Sequence, residues 1–400
     1  MDLYEFNGFT YKSNEKDNTL PLIQIDGKKD KPVFVTKYYS LNENSINALI
    51  NSYFYASHPF ELNDYLDASS FLLYTTGPLD FKFYKNLFGN LLDNEKLQEL
   101  YKVDNTEKES CRNYITLFWE TISNIFGIIS LSGSEKNNLM WPHYAQETGF
   151  QLKFNTEELE QSIKNKIGKN EVFGLFPINY SEKLVPIDLS KFNQHYIPFF
   201  YLTNIKLKSW SYENEWRFII GKIYMGVPYS KSPFELKPDF YVDIKNRFAY
   251  YDSNIVKEIT LGHNYINRTR FHIDRVSEAI TILEPIPNSE SNINIILLDF
   301  ISENLKDKLF YSGVIYDKSD DGISVIRTKE RMEIIKIENY KYNFNEYIYF
   351  RLDIIKNPHF KTITERDSLN VFIKTKFNNK KSEWGFIVSS GEILKKFSEH

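Results

Sequence analysis

The chain has 400 residues, of which 42% are hydrophobic, 16% aromatic and 26% charged, and its formal net charge is −4. This length fits two domains, or one large domain with an appendage. The charge balance is not that of a general nucleic-acid binder, which normally has a basic face or a high isoelectric point, although a local basic groove remains compatible with it.

The single cysteine, Cys111, excludes a disulfide framework and a cysteine-based zinc site. The seven histidines are scattered along the chain, so we predict no zinc. The N-terminal residues lack the continuous apolar run of a signal peptide, and no stretch reaches the roughly 18 apolar residues that a membrane span needs. We therefore expect a cytoplasmic protein with no membrane partner, and the sequence leaves its oligomeric state open.

The first recognisable unit is a strand, a helix and a second strand. Residues 33–39 are strand-like, and Ser40 begins an S-x-x-E pattern with Glu43 that is typical of a helix N-terminus. A second apolar run at residues 53–56 predicts another strand, which is followed by the polar loop HPFELNDYLD. Asn63, Asp64 and Asp67 supply polar groups in this loop, and Asn63 and Asp64 are candidate binding residues. The alternative is turn chemistry, because Asn and Asp favour turns for backbone reasons.

A helix is predicted to begin at Asn113. Its apolar residues recur at spacings of three and four, which is the pattern of one buried helical face. They are Ile115, Phe118, Trp119, Ile122, Ile125, Phe126 and Ile129.

Further along, residues 149–154 alternate as a strand, residues 155–168 predict a capped helix, and residues 205–220 predict one long strand. A boundary is expected near 283–294, where prolines, serines and asparagines cluster. Beyond it, Lys318 to Gly322 carries the signal of a hairpin turn, and short alternating runs continue to the end. The predicted fold is α+β, with a mostly antiparallel central sheet and flanking helices in a domain of residues 1–285. A small β-rich domain of unknown role would occupy residues 293–400.

The segment SWSYENEWRF, residues 209–218, is the first candidate site. On a strand, Glu213, Glu215 and Arg217 would share one face, and the aromatic side chains would share the other. Two neighbouring carboxylates repel each other, so the pKa of one tends to rise, which suits general-base work or holding a ribose hydroxyl. The alternative is a solvated strand face whose ion pairs contribute little to stability.

The second candidate is the aromatic segment NNLMWPHYAQETGF. Trp141, His143 and Tyr144 stand together in it and could stack against a flat ring and hydrogen-bond to it. The alternative is a packed turn with a structural histidine. The phosphate-loop pattern, the G-x-S-x-G elbow and the dinucleotide G-x-G-x-x-G pattern do not occur in the chain.

Taken in order, these segments resemble a bacterial family, the domain of unknown function 2971 (DUF2971), over about residues 30–265. The family pattern has K-Y-x-S, F-N-D-P-x-E, C-F-S, M-W-x-H-Y with a later glycine and phenylalanine, and K-x-x-W-x-Y-E-x-E-W-R. The matching residues here are Lys37, Tyr38, Ser40, Asn63, Asp64, Met140, Trp141, His143, Tyr144, Gly149, Phe154, Lys208, Trp210, Tyr212, Glu213, Glu215, Trp216, Arg217 and Gly262. Three positions depart from the pattern, because Tyr65, Asp67 and Ser130 replace its proline, glutamate and cysteine.

The order of segments is also similar to that of mono-ADP-ribosyltransferases, whose late strand carries an E-x-E pair. That similarity implies an enzyme that cleaves the N-glycosidic bond of nicotinamide adenine dinucleotide (NAD), such as a bacterial toxin or an anti-phage effector with a protein or nucleic-acid acceptor. Glu215 would be the catalytic glutamate, and Glu213 its partner.

The remaining roles follow from the same similarity. Tyr144 or Tyr38 would flank the nicotinamide, and Ser40 or Lys37 would lie near the ribose. His143 belongs with the catalytic candidates, and Trp141, Asn63, Asp64 and Arg217 belong with the cofactor-binding ones.

Two other classes of function stay open. One is a metal-dependent nuclease or nucleotide hydrolase that uses Asp64, His143, Glu213 and Glu215 with magnesium. The other is a non-catalytic protein that binds a ligand or a partner, and salt bridges on both glutamates would favour it.

Overall fold

The architecture is given by a computed structural model. It describes residues 2–14, 22–27, 30–88, 93–104, 115, 118–119, 121–135, 137–168, 172–222, 225, 244–265, 271–274, 279–282, 291–319, 322–332, 334–338, 341–344, 347–349, 353–356, 374–376, 383–387 and 393–398.

The helices and strands of these residues are numbered in chain order. The α-helices are α1 (Glu43–Ile50), α2 (Phe81–Phe88), α3 (Asn94–Asp104), α4 (Thr156–Ile167), α5 (Tyr196–Asn204) and α6 (Ser291–Asn304). The strands are β1 (Asp2–Phe6), β2 (Phe9–Asn14), β3 (Leu22–Asp26), β4 (Phe34–Tyr39), β5 (Tyr53–Tyr55), β6 (Leu73–Tyr74), β7 (Phe126–Ser132), β8 (Phe150–Asn155), β9 (Val172–Pro177), β10 (Asn179–Ser181), β11 (Ile187–Asp188), β12 (Ile205–Leu207), β13 (Glu215–Gly221), β14 (Phe248–Tyr250), β15 (Val256–Leu261), β16 (Phe271–Asp274), β17 (Ala279–Ile282), β18 (Leu309–Ser319), β19 (Gly322–Arg331), β20 (Ile334–Glu338), β21 (Lys341–Phe344), β22 (Tyr347–Tyr349), β23 (Asp353–Lys356), β24 (Lys374–Lys376), β25 (Glu383–Ile387) and β26 (Ile393–Ser398).

The chain divides into two compact units, each built from three stretches of sequence. Unit 1 comprises Met1–Val33, Tyr53–Gly133 and Thr156–Asp252. Unit 2 comprises Phe34–Ser52, Ser134–Asn155 and Ser253–His400. The predicted boundary at 283–294 falls mostly on residues outside the described part of the chain, and its last four residues begin α6.

Unit 1 is centred on β13, which pairs antiparallel with β7 on one side and with β9 on the other. Its core is rich in aromatic side chains and includes α5, in which every residue from Ile197 to Asn204 is buried. A helix that is apolar on all sides must be buried in this way. The N-terminal strands β1, β2 and β3 form an antiparallel sheet whose Tyr11 hydroxyl donates to Asn204 of α5 over 2.5 Å.

The predicted long helix from Asn113 is wrong in its second half. Residues 115, 118–119 and 121–123 are helical, but Phe126 begins β7. Seven residues of β7 pair with β13, so tertiary pairing prevails over the helical spacing of the apolar residues.

Unit 2 is organised around one mixed, mostly antiparallel sheet. β8 pairs antiparallel with β4 and β15, β18 pairs parallel with β15, and β19 completes an antiparallel hairpin with β18. The predicted hairpin is confirmed, since Ser319 pairs with Gly322, which has a φ of +138°. Helices α1 and α6 pack against each other in this unit. The N-cap of α1 is Asn42 and not Ser40, because the Asn42 side chain accepts a hydrogen bond from the Ser45 amide.

Helices and mostly antiparallel sheets make up both units, and the predicted α+β class is confirmed. Within the part of the chain that the structure describes, no helix has the length and apolar character to span a bilayer.

Candidate functional site

The segment SWSYENEWRF is not the continuous strand that its pattern predicted. Lys208–Glu213 forms a 3₁₀ helix, Asn214 follows in the left-handed conformation with a φ of 46°, and β13 begins at Glu215. Asparagine tolerates this conformation better than most residues, so Asn214 provides the turn between helix and strand. Glu213 and Glu215 therefore flank a turn, and Glu215 and Arg217 share one face of β13.

These three residues belong to a buried cluster of five charged side chains in unit 1, and none of the five residues is more than 4% exposed. The members are Asp67, Lys206, Glu213, Glu215 and Arg217. The alternative of a solvated strand face is wrong, because every one of these charges lies in the interior. Buried ions are tolerated only when they are paired and hydrogen-bonded.

Arg217 is held by two carboxylates at once. Its Nη1 and Nη2 donate to the two oxygens of Asp67 over 2.8 and 2.5 Å. Its Nε and Nη2 donate to the two oxygens of Glu215 over 2.7 and 3.1 Å, and Nη1 also donates to the Thr203 carbonyl over 2.9 Å. The planar guanidinium makes such two-pronged contacts more readily than an ammonium does.

Lys206 is the second cation of the cluster. Its Nζ lies 2.7 Å from Glu213 Oε2, 3.2 Å from Glu215 Oε2 and 3.4 Å from Asp67 Oδ2. Asp67 and Glu215 thus contact both cations. Burial raises the pKa of the Glu215 carboxyl, but the charges of Arg217 and Lys206 outweigh burial and hold that pKa well below its usual range. The predicted rise from like-charge repulsion is therefore wrong for Glu215.

Two serines of β7 complete the surroundings of the cluster. The Ser130 side chain hydrogen-bonds to the Glu215 carboxylate, and Ser132 Oγ donates to the Glu213 carbonyl over 2.7 Å. Ser130 stands where the family pattern has its cysteine, and here a hydroxyl contacts the buried glutamate from that position. The amide of Glu215 also donates to the Tyr180 hydroxyl over 2.9 Å.

One cation of the cluster, Lys206, lies over an aromatic ring of the 3₁₀ helix. Lys206 Nζ is 4.9 Å from the centre of the Trp210 ring, and the Trp210 and Tyr212 rings are 6.0 Å apart. Both rings are half-buried, and Lys208 beside them is exposed and paired with Glu182.

The polar loop contributes Asp67 to this cluster. Asp64 is half-buried and accepts a hydrogen bond from the Leu66 amide over 3.0 Å, as in an Asx turn, and Asn63 is exposed. Lys206 and Asp67 were missing from the predicted site residues. An acidic residue at position 67, where the family pattern has a glutamate, was a usable signal, whereas Lys206 between two apolar neighbours gave none.

The other predicted residues lie in unit 2, around a single π-helical turn at Trp141–Ala145. Trp141 is buried edge-on against Tyr38, with 5.4 Å between the ring centres. Burial raises the pKa of the Tyr38 hydroxyl, which donates to the Glu135 carbonyl over 3.3 Å. His143 is exposed and Tyr144 is half-buried, so the turn presents its polar residues outward.

Lys37 and Ser40 are half-buried in unit 2, and the Ser40 hydroxyl accepts a hydrogen bond from Asn42 over 2.8 Å. The predicted site residues thus divide between the two units: Asn63, Asp64, Glu213, Glu215 and Arg217 belong to unit 1, and the others belong to unit 2. Within the described ranges, no group of three or more His, Cys, Asp and Glu side chains is arranged to hold a metal ion.

Residues 140–218 match the model of a protein family described as a protein of unknown function (DUF2971). This match confirms the resemblance and includes both the Trp-Pro-His-Tyr segment and the Glu-Asn-Glu-Trp-Arg segment. No curated protein and no solved structure matches the chain.

Proposed function

We propose that this chain is a binding protein for a nucleotide-like ligand, in which the buried charge cluster fixes the binding surface instead of carrying out chemistry. The observation that carries the proposal is that Glu213 and Glu215 are both buried and both paired with cations of the same cluster. In this proposal the protein works in the cytoplasm, which suits its single cysteine.

A catalytic glutamate at this position would have to offer an oxygen to a substrate hydroxyl. Both oxygens of Glu215 already accept hydrogen bonds from Arg217, and one of them also accepts from Lys206. Freeing an oxygen would break charge-assisted bonds in a dry interior, where an unpaired charge is costly. This pairing supports a structural role for Glu215.

The surface that the cluster holds is the 3₁₀ helix Lys208–Glu213. Trp210 and Tyr212 offer aromatic faces for a planar base, and stacking on such faces is worth about 1–3 kcal/mol per base. Lys208, which is exposed and pairs with Glu182, is the cation at the surface beside these rings and supplies positive charge for a phosphate. A nucleotide whose planar base stacks on these rings and whose phosphate lies near Lys208 fits this combination of groups.

The test is a calorimetric titration of the full chain with a nucleotide panel that includes NAD and ATP. Trp210→Ala and Tyr212→Ala should each weaken the affinity for the best-bound nucleotide by about 5- to 150-fold, as the loss of one stacking partner implies. Tyr65→Ala is the matched control, because Tyr65 is an aromatic of the same unit that is 79% exposed. Binding unchanged in both variants would exclude the 3₁₀ helix as the binding surface.

A second candidate is cleavage of the N-glycosidic bond of NAD, and the charge balance of the cluster favours it. Three carboxylates face two cations, so the cluster carries one formal excess negative charge. The bond between the nicotinamide nitrogen and ribose C1′ breaks in this reaction, and C1′ develops positive charge until water or an acceptor nucleophile bonds to it. A negative site stabilises that charge. Such an activity would suit a toxin or an anti-phage effector.

One assay distinguishes nucleotide binding from cleavage of NAD. Purified chain is incubated with NAD and a cell extract, with and without a chelator, and free nicotinamide is followed by mass spectrometry. Release that requires Glu215, measured against Glu215→Gln, supports cleavage. Nucleotide binding without release supports the binding protein, and an activity that the chelator abolishes would point to a metal-dependent hydrolase instead.

A further inference from the structure

One segment of unit 2, Ser134–Gly149 without residue 136, lies across the polar face of the sheet; we call it the strap. Its first residues are tied to β4 and β8. Thr36 Oγ1 donates to the Ser134 carbonyl over 3.2 Å, and the Gln151 side chain donates to the Glu135 carbonyl over 3.3 Å. The strap carries the Trp-Pro-His-Tyr turn, in which Met140, Trp141 and Ala145 are buried.

The strap is also held by the hairpin formed by β18 and β19. Arg327 of β19 donates from Nη1 to Glu147 Oε2 over 2.8 Å and from Nη2 to the other oxygen. The same guanidinium lies 6.0 Å from the centre of the Trp141 ring. Arg327 therefore lies against the first residue of the turn and binds a residue two positions after its end, and its side chain is only 6% exposed.

A closed ring of four alternating charges adds a second attachment. Lys153 pairs with Glu135 over 2.6 Å and with Glu258 over 3.4 Å. Lys329 of β19 pairs with Glu135 over 3.3 Å and also with Glu258. Glu135 belongs to the strap, so β19 holds the strap at both of its ends.

The backbone of the strap needs such a restraint. Gln146 and Glu147 both adopt the left-handed conformation, with φ values of 51° and 59°. The left-handed conformation is unfavourable for residues other than glycine. Two successive residues keep it only where surrounding contacts hold them in place. The two-pronged Arg327–Glu147 pair acts directly on the second of these residues.

We propose that the β18–β19 hairpin is a clamp that positions the Trp-Pro-His-Tyr turn, with Arg327 and Lys329 as its positioning residues. The hairpin lies outside the segment 140–218 that matches the family model, so the clamp assigns a role to a region that the family match leaves without one. The inference is independent of the ligand or reaction proposed above.

Hydrogen exchange measured by mass spectrometry tests the clamp. Arg327→Met should accelerate exchange of the strap amides 137–148 at least tenfold and leave the β13 amides of unit 1 unchanged. Glu147→Gln should act in the same way, and Arg327→Lys should lie between Met and the wild type, because an ammonium cannot reproduce the two-pronged contact. Arg331→Met is the matched control, since Arg331 is an exposed arginine at the end of the same strand.

The charge-reversed pair Arg327→Glu with Glu147→Arg separates positioning from simple loss of packing. Restored protection of the strap in this double variant supports the clamp. Strap exchange within twofold of the wild type in folded Arg327→Met would overturn the proposal. Equal acceleration of strap and β13 amides would also overturn it, because the hairpin would then support the whole fold.

Discussion

The members of the buried charge cluster should differ sharply in their contribution to stability. Glu215 and Asp67 contact both cations, and Glu213 contacts Lys206. If Glu213 loses its charge in Glu213→Gln, both cations keep two carboxylates and the formal excess charge disappears. If Arg217 is replaced by methionine, three buried carboxylates face Lys206 alone.

These contacts set the expected magnitudes. Removing one partner of a buried pair leaves an uncompensated charge and costs about 3–5 kcal/mol, so Arg217→Met should lower the free energy of unfolding by that amount. Glu213→Gln should cost about 1.5–3 kcal/mol, the net worth of one hydrogen bond to a charged group. Glu215→Gln should fall between them, because Glu215 bridges Lys206 and Arg217.

Urea denaturation at neutral pH measures this order, and exchange of the β13 amides confirms that unit 1 is the part affected. Urea is preferred because guanidinium is a salt and would screen the charges. A Glu213→Gln variant as unstable as Arg217→Met would refute the reasoning, since the excess negative charge would then be part of what holds the fold.

Three further predictions follow from other buried positions. Burial lowers the pKa of His195 to about 4, and burial together with Arg247 does the same for His58. Between about pH 6.5 and pH 4 the unfolded chain therefore binds more protons than the folded chain. Lowering the pH from 7 to 5 should reduce the free energy of unfolding by about 2 kcal/mol per histidine. Urea denaturation at several pH values measures this dependence, and His195→Phe should weaken it. Gly149→Ala should lower the free energy of unfolding, measured in urea, by about 1–3 kcal/mol or more, because the added methyl would overlap the Tyr39 carbonyl, whereas Gly77→Ala meets open space and should leave it unchanged. Ser130→Cys should cost about 1–2 kcal/mol in the same assay because a thiol is a weaker donor to Glu215 than a hydroxyl.

The fold class and the hairpin could be predicted from the sequence because both depend on local patterns of residues. Alternating apolar residues mark single strands, and Lys318 to Gly322 marks a turn whether or not the rest of the chain is known. The helix from Asn113 was overextended because Ile125, Phe126 and Ile129 fit a helical period as well as a strand. Pairing with β13, more than eighty residues later, decides between the two and leaves no trace in the local pattern.

The candidate site was predictable in its residues but not in its chemistry. Glu213, Glu215 and Arg217 were identified from one segment, and the structure places them together. Their burial was not predictable, because it depends on Lys206 and on Asp67, which is 150 residues from Arg217 in the chain. A strand pattern treats two glutamates two residues apart as like charges that repel each other. In the structure, the positive charges of Arg217 and Lys206 outweigh this repulsion and hold the pKa of Glu215 below its usual range.

The burial and pairing of the cluster indicate a structural role, whereas its excess negative charge indicates a role in ligand binding. Glu213 is the residue that can distinguish these two roles. Saturated hydrogen bonds at Glu215 and Arg217 describe a structural centre, whereas one excess carboxylate is a cost that a purely structural cluster has no reason to carry. Glu213 ends the 3₁₀ helix that presents Trp210 and Tyr212, so it is the carboxylate nearest in sequence to the proposed binding surface. If Glu213→Gln keeps the fold but weakens nucleotide binding, the excess charge serves the ligand. If it keeps both the fold and the binding, the excess charge has no role in binding, and the aromatic pair alone would account for recognition.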